Sequence, residues 1–144
     1  MLAIGCDQAG YALKGAVIRY LEEHQIAYTD CGCYSADPVD YPVYAKKVCR
    51  AILSGEADRG ILICGTGIGM SMAANKFRGI RAAVVGDCFS AEATRLHNDA
   101  NVLCMGERVV GPGLAVKITE IFLNTEFSGA ERHARRISQL EEDF

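Results

Sequence analysis

Short apolar runs alternate with helical patterns along the whole chain. Leu2 to Cys6 reads as a buried strand, and Leu13 to Glu23 as a helix whose apolar positions Leu13, Val17 and Leu21 recur every four residues. Ile26 to Cys31 forms a weaker second strand pattern. A loop holding Asp37-Pro38 and Tyr41-Pro42 then leads to a helix over about Tyr44 to Leu53. Gly60 to Cys64 is the clearest strand, through Ile61-Leu62-Ile63, and it runs into a glycine-rich turn and a helix through Met72. Ile80 to Val85, Ala91 to His97, Asn101 to Met105 and Gly113 to Leu123 continue as strand, helix, strand and helix. Strands alternating with helices predict a parallel sheet with helices on both faces and right-handed crossovers. The expectation is an open, doubly wound, five-stranded α/β domain in the order 2-1-3-4-5. Ligands bind such folds beyond the carboxyl ends of the strands, where the order reverses. Here that point lies between strands 1 and 3, and it brings the segment after Cys6 beside the segment after Ile63.

The C-terminus has a different pattern. Ile137, Leu140 and Phe144 form a sparse apolar stripe at helical spacing, while Arg132 and Arg136 share one face. A terminal helix with no strand to lead into is expected to dock on a partner subunit, with its arginines directed at something anionic. The alternative is a solvated helix with incidental arginines.

Composition narrows the function. With 144 residues, one compact domain over 1–144 is expected, and 50% hydrophobic against 23% charged residues suits a soluble globular core. Fifteen Lys and Arg against 18 Asp and Glu leave a net charge of −3, which argues against nucleic acid as the main partner. The uncharged stretch Gly60–Asn75 is broken by glycines, Thr66 and Ser71, and is too short and polar to span a bilayer. Met1 leads into Leu2-Ala3-Ile4 without a basic n-region, so no secretory leader is expected. The seven cysteines are odd in number and contain no C-x-x-C pair, so neither a zinc site nor a disulfide framework is expected. A reducing cytoplasm fits them best.

The most informative stretch is Cys64-Gly65-Thr66-Gly67-Ile68-Gly69. Glycines at alternate positions after a buried strand let the backbone turn and aim successive N–H groups at one spot. The following helix adds the positive end of its dipole, so the loop suits an anion, and the same field favours a thiolate at Cys64. A thiolate beside such donors can take a proton α to a carbonyl while the N–H groups stabilise the enediolate. As a dinucleotide fingerprint the loop fails in part, because Met70 stands where the last glycine belongs, although Asp87 follows at the distance of a ribose-binding acid. The plainest alternative is a buried Cys64 beside a tight turn.

Asp7, just past strand 1, faces Cys64 across the crevice as a hydrogen-bond acceptor for sugar hydroxyls, or else caps the next helix. His97-Asn98-Asp99 stands between the fourth helix and the fifth strand, and is expected at one edge of the crevice. His97 is then either an acid–base group or a partner of the helix dipole. His133, between arginines, could join an anion site. Arg108, after strand 5, is a further phosphate contact.

Asp7, Asp40-Tyr41-Pro42, Cys64 to Gly69 with Ala74-Asn75-Lys76, His97 to Asn101, Gly106 with Arg108 to Gly111, and Arg132-His133 with Arg136 stand in one order and spacing. Over nearly the whole chain they resemble the type B ribose-5-phosphate isomerases and the related galactose-6-phosphate isomerase subunits. The resemblance implies aldose–ketose isomerisation of a sugar phosphate through a cis-enediolate, with no metal or organic cofactor. It also implies a homodimer or homotetramer whose sites are each built from two subunits. Cys64 would be the base between C1 and C2, Thr66 would orient or deprotonate its thiol, and the Gly65, Gly67, Ile68 and Gly69 backbone would hold the enediolate. His97 would assist ring opening, Asn98 would hold sugar oxygens, and Asp7, Gln8 and Tyr41 would contact substrate. Arg108, Arg132 and Arg136 would bind phosphate. The presence of Cys64 and His97-Asn98 in one chain favours ribose 5-phosphate over a six-carbon aldose 6-phosphate. A non-catalytic sugar-phosphate or nucleotide-binding module is a third reading.

This chain departs from the family pattern twice. Gln8 stands where the family usually has His, and it can donate a hydrogen bond but cannot carry charge. Glu131 stands near Arg132, where the family tends to have a second glycine, and would weaken the arginines unless it points outward.

Overall fold

The computed structural model describes residues 1–143; Phe144, expected in the C-terminal apolar stripe, lies outside the described residues. Strand β1 (Leu2–Cys6) leads through a 3-10 turn (Gln8–Gly10) into α1 (Tyr11–Glu23) and β2 (Tyr28–Asp30). Then follow α2 (Tyr41–Leu53), β3 (Arg59–Cys64), α3 (Ile68–Ala74), β4 (Ala82–Val84), α4 (Cys88–Asn98), β5 (Val102–Gly106), α5 (Pro112–Asn124) and α6 (Glu131–Leu140). Every strand pairing is parallel.

Side chains along the inner strands alternate between two cores. Ile4, Ile61, Ile63, Leu103 and Met105 pack with α1 and α5 residues such as Val17, Leu21, Ile118 and Phe122. Ala3, Leu62, Cys64, Val102 and Cys104 pack on the other face with Val48 and Cys49 of α2 and Met70 of α3. Burial on both faces is why these strands read as unbroken apolar runs.

The sheet order is 2-1-3-5-4, not the expected 2-1-3-4-5. β5 sits between β3 and β4. All five residues of β5 are buried, as an inner strand requires, whereas β4 is three residues long and half exposed, as suits an edge. Gly106 ends β5 opposite Cys64 in register, and a Cβ there would stand 2.5 Å from the Thr66 backbone. The end of β5 thus leaves the Thr66 backbone the space a side chain would fill. The reversal between β1 and β3 stands as expected, and β5 adds a second reversal beside β3.

Among the described residues no helix is long and apolar enough to cross a membrane.

Candidate active site

Cys64 closes β3 with its side chain buried, facing the α2–α3 side of the sheet. The chain then turns through Gly67, whose φ of +82° is a left-handed conformation that favours glycine. That turn aims the Gly67 N–H at the Cys64 Sγ, 3.1 Å away. The backbone beneath is fixed by the segment after β5: Glu107 N–H donates to the Cys64 carbonyl at 2.9 Å and Arg108 N–H to the Gly65 carbonyl at 3.0 Å. The Arg108 side chain lies over Gly65, and the Tyr41 ring at the start of α2 lies against Gly69. Thr66 and Ile68 are exposed at the loop's tip, and Thr66 Oγ1 accepts from the Ile68 N–H at 3.2 Å.

Asp7 stands beside this loop, its own N–H donating to the Ile63 carbonyl at 3.2 Å. Its Oδ1 accepts from the Ala9 and Gly10 N–H groups at 2.9 and 3.2 Å, so the capping role is real. Burial pushes its carboxyl above the usual carboxylate value, against those hydrogen bonds and the nearby Arg108 charge. Gln8 Oε1 accepts from the Val39 N–H at 2.9 Å, which ties the loop before Tyr41 to the end of β1 and leaves the Gln8 amide nitrogen as a donor. Asp7, Gln8, Tyr41, Cys64 to Gly69 and Arg108 thus gather at the carboxyl ends of β1, β3 and β5.

His97, Asn98, Arg132 and Arg136 do not join them. α4 runs back against the sheet direction, so its last turn reaches the amino end of β5 and not the crevice edge expected for His97-Asn98-Asp99. Arg81, just ahead of β4, marks that end: its Nε donates to the Asn98 carbonyl at 3.0 Å and its Nη2 to the Asp99 carbonyl at 2.9 Å. α6 packs there too, with the His133 ring stacked on His97 at 4.5 Å between centroids. Desolvation, then the charges of Arg132, His97 and Arg136, hold His133 below the usual histidine value. Arg132 and Arg136 are exposed, and Glu131 pairs with Arg135 at 2.9 Å, so the acid expected to weaken them is engaged elsewhere. Glu141 at the end of α6 binds Arg81 at 2.7 Å, and Asp143 pairs with Arg78.

Several groups at this second cluster escaped sequence reasoning. Arg95, 3% exposed, donates to the Asp99 carboxylate at 2.8 Å, the Ala100 carbonyl at 2.6 Å and the Thr125 carbonyl at 3.0 Å. The i,i+4 spacing of Arg95 and Asp99 was readable in the sequence, whereas the convergence of Arg81 on this corner was not. A cavity of about 480 Å³ opens here, lined by Arg81, Thr94, Asn98 and Leu140 among others. Among the described residues no three His, Cys, Asp or Glu side chains are grouped to hold a metal ion.

A parallel sheet of this kind has its ligand crevice beyond the carboxyl ends of its strands, which is where the Cys64 loop stands. Residues 2–140 match the Ribose/Galactose Isomerase family. The chain belongs to that family and is a sugar-phosphate isomerase of it. It is 54% identical over 140 residues to the Bacillus subtilis protein named "Putative sugar phosphate isomerase YwlF", covering 96% of this chain and 93% of that one. Against the Escherichia coli ribose-5-phosphate isomerase B the identity is 46% over 139 residues, again 96% and 93% of the two chains. The crystal structure of a ribose 5-phosphate isomerase from Thermotoga maritima superposes with a TM-score of 0.96 at 50% identity, over 99% of this chain and 97% of that one.

Proposed function

We propose that the protein interconverts ribose 5-phosphate and ribulose 5-phosphate in the cytoplasm, with Cys64 as the base. The observation that carries this is the Cys64 Sγ, buried at a strand end with the Gly67 N–H 3.1 Å away. As thiolate, Cys64 takes the proton from C2 of the open-chain aldose, and the pair of electrons moves into a cis-enediolate. A proton passes from O2 to O1 of the enediolate, and Cys64 returns its proton to C1 to give the ketose, so no hydride and no oxidant is needed. Loop N–H groups between Gly65 and Gly69 other than those of Gly67 and Ile68, which bond Cys64 Sγ and Thr66 Oγ1, stabilise the developing oxyanion in this reading. Asp7, Gln8 and Tyr41 contact the sugar, and Arg108 reaches the phosphate.

The second cluster supplies the rest. His97 opens the furanose ring, Asn98 holds sugar oxygens, and Arg132 and Arg136 bind phosphate. These lie at the opposite end of the sheet in one chain, which supports a site completed by a second copy at the Cys64 loop. The working unit in this reading is a homodimer or homotetramer with shared sites.

The test is turnover of ribose 5-phosphate by purified protein in buffer containing a metal chelator. Steady formation of ribulose 5-phosphate supports the reading. A folded protein with no turnover overturns the substrate assignment. Gln8 in place of the usual His favours a second reading, an isomerase of a six-carbon aldose 6-phosphate, and galactose and allose 6-phosphates in the same assay decide between them.

A further inference from the structure

Asn98 is exposed at the end of α4, and the backbone around it is held from two sides by Arg81 and Arg95. That clamp sets where the Asn98 Cα lies but not how its amide is turned, because both arginines act on main-chain carbonyls or on Asp99. The amide is turned by Thr94, one helical turn earlier. Thr94 is 7% exposed, and its hydroxyl donates to Asn98 Oδ1 at 3.1 Å. A helical threonine commonly bonds back to the carbonyl four residues before it; this one bonds forward. Thr119 of α5 shows the usual habit, donating to the Ala115 carbonyl at 2.8 Å.

We propose that Thr94 is a positioning residue for the isomerase reaction, holding Asn98 with its oxygen turned inward and its NH2 presented to the substrate. The inference rests on the role proposed for Asn98 above. With Oδ1 held toward Thr94, Asn98 turns its NH2 donors, and not its carbonyl, toward the sugar. A donor-only amide matches an oxygen that gains negative charge as the enediolate forms, and mismatches the hydrogen of a neutral hydroxyl. A free amide could rotate and present its carbonyl to the same oxygen, so removing the Thr94 hydroxyl should lower kcat more than it raises KM.

The test compares Thr94→Val, which keeps the shape and loses the donor, with Thr94→Ser, which keeps the donor. Asn98→Ala and the Thr94→Val/Asn98→Ala double variant complete a cycle on the full-length protein. Thr94→Val should lower kcat about three- to tenfold, the size of one hydrogen bond, with KM changed less. Thr94→Ser should restore most of the rate, and Thr94→Val should add nothing once Asn98 is Ala. A Thr94→Val loss that persists in the Asn98→Ala background marks a packing effect and overturns the proposal. So does a Thr94→Ser variant no better than Thr94→Val. Full activity in Asn98→Ala overturns the role of Asn98 and this proposal together, leaving the Cys64 chemistry standing. A wild-type protein inactive on every sugar phosphate overturns the proposed function itself.

Discussion

The Gly67 backbone N–H points at the Cys64 sulfur from 3.1 Å, and that contact exists because Gly67 alone in its loop turns through a left-handed conformation. The sulfur thereby accepts a hydrogen bond, which is compatible with the base proposed for it.

Replacing Cys64 with Ala should abolish isomerisation, by about a hundredfold to ten-thousandfold or more, which is the range for a lost general base. The side chain removed is small, so far-UV circular dichroism should be unchanged and melting should shift by only a few degrees. Near-normal turnover in this variant would remove Cys64 from the chemistry.

Two inactive variants can test the shared site. Cys64→Ala and His97→Ala, co-expressed so that subunits mix, should recover about a quarter of wild-type activity, because half the dimers are mixed and each carries one intact site. Sites built within one chain would give no recovery, since every copy carries one lesion.

Gly106→Ala should disturb the Cys64 loop without removing any polar group. The added Cβ would meet the Thr66 backbone at 2.5–2.7 Å, and backbone cannot give way as a flexible side chain does. A loss of about 2 kcal/mol in urea unfolding and at least about a tenfold fall in kcat are expected. Wild-type values for both would show that the close approach is unimportant.

Asp7 gives a pH test with a definite sign. Burial raises its carboxyl above the ordinary 3.8, so the native state holds that proton more tightly than the unfolded chain does. The associated stability is fully present below 3.8 and is lost as the pH rises through the native value. Asp7→Asn keeps an oxygen to cap the 3-10 turn and carries no charge. It should therefore be more stable than wild type at pH 7, with the gap closing as the pH falls toward 3.8. Its turnover should be lower. Equal urea midpoints across that range would mean that the carboxylate is not strained by burial.

The order of strands and helices was legible because each rests on a local pattern. Apolar runs marked β1, β3 and β5, and the four-residue recurrence of Leu13, Val17 and Leu21 marked α1. The glycine loop after Cys64 was legible for the same reason. Of the two readings of Asp7, the cap is the one its hydrogen bonds show, and its place beside the Cys64 loop is where the sugar-binding reading needs it. The Thr94–Asn98 and Arg95–Asp99 pairs stand at i,i+4 spacing but were not picked out, because nothing local showed what they hold.

By itself the sequence determined a parallel α/β domain, a thiol in a glycine turn, and a set of polar groups in a family-specific order. It did not determine that β5 enters between β3 and β4, because hydrophobicity records how deeply a strand is buried and not which strand lies beside it. That choice rests on packing between segments far apart in the chain, of which the close approach of Gly106 to the Thr66 backbone is one contact. Nor did it separate the polar groups into two clusters. Their division comes from the direction of α4, whose return across the sheet carries His97 and Asn98 to the end opposite Cys64.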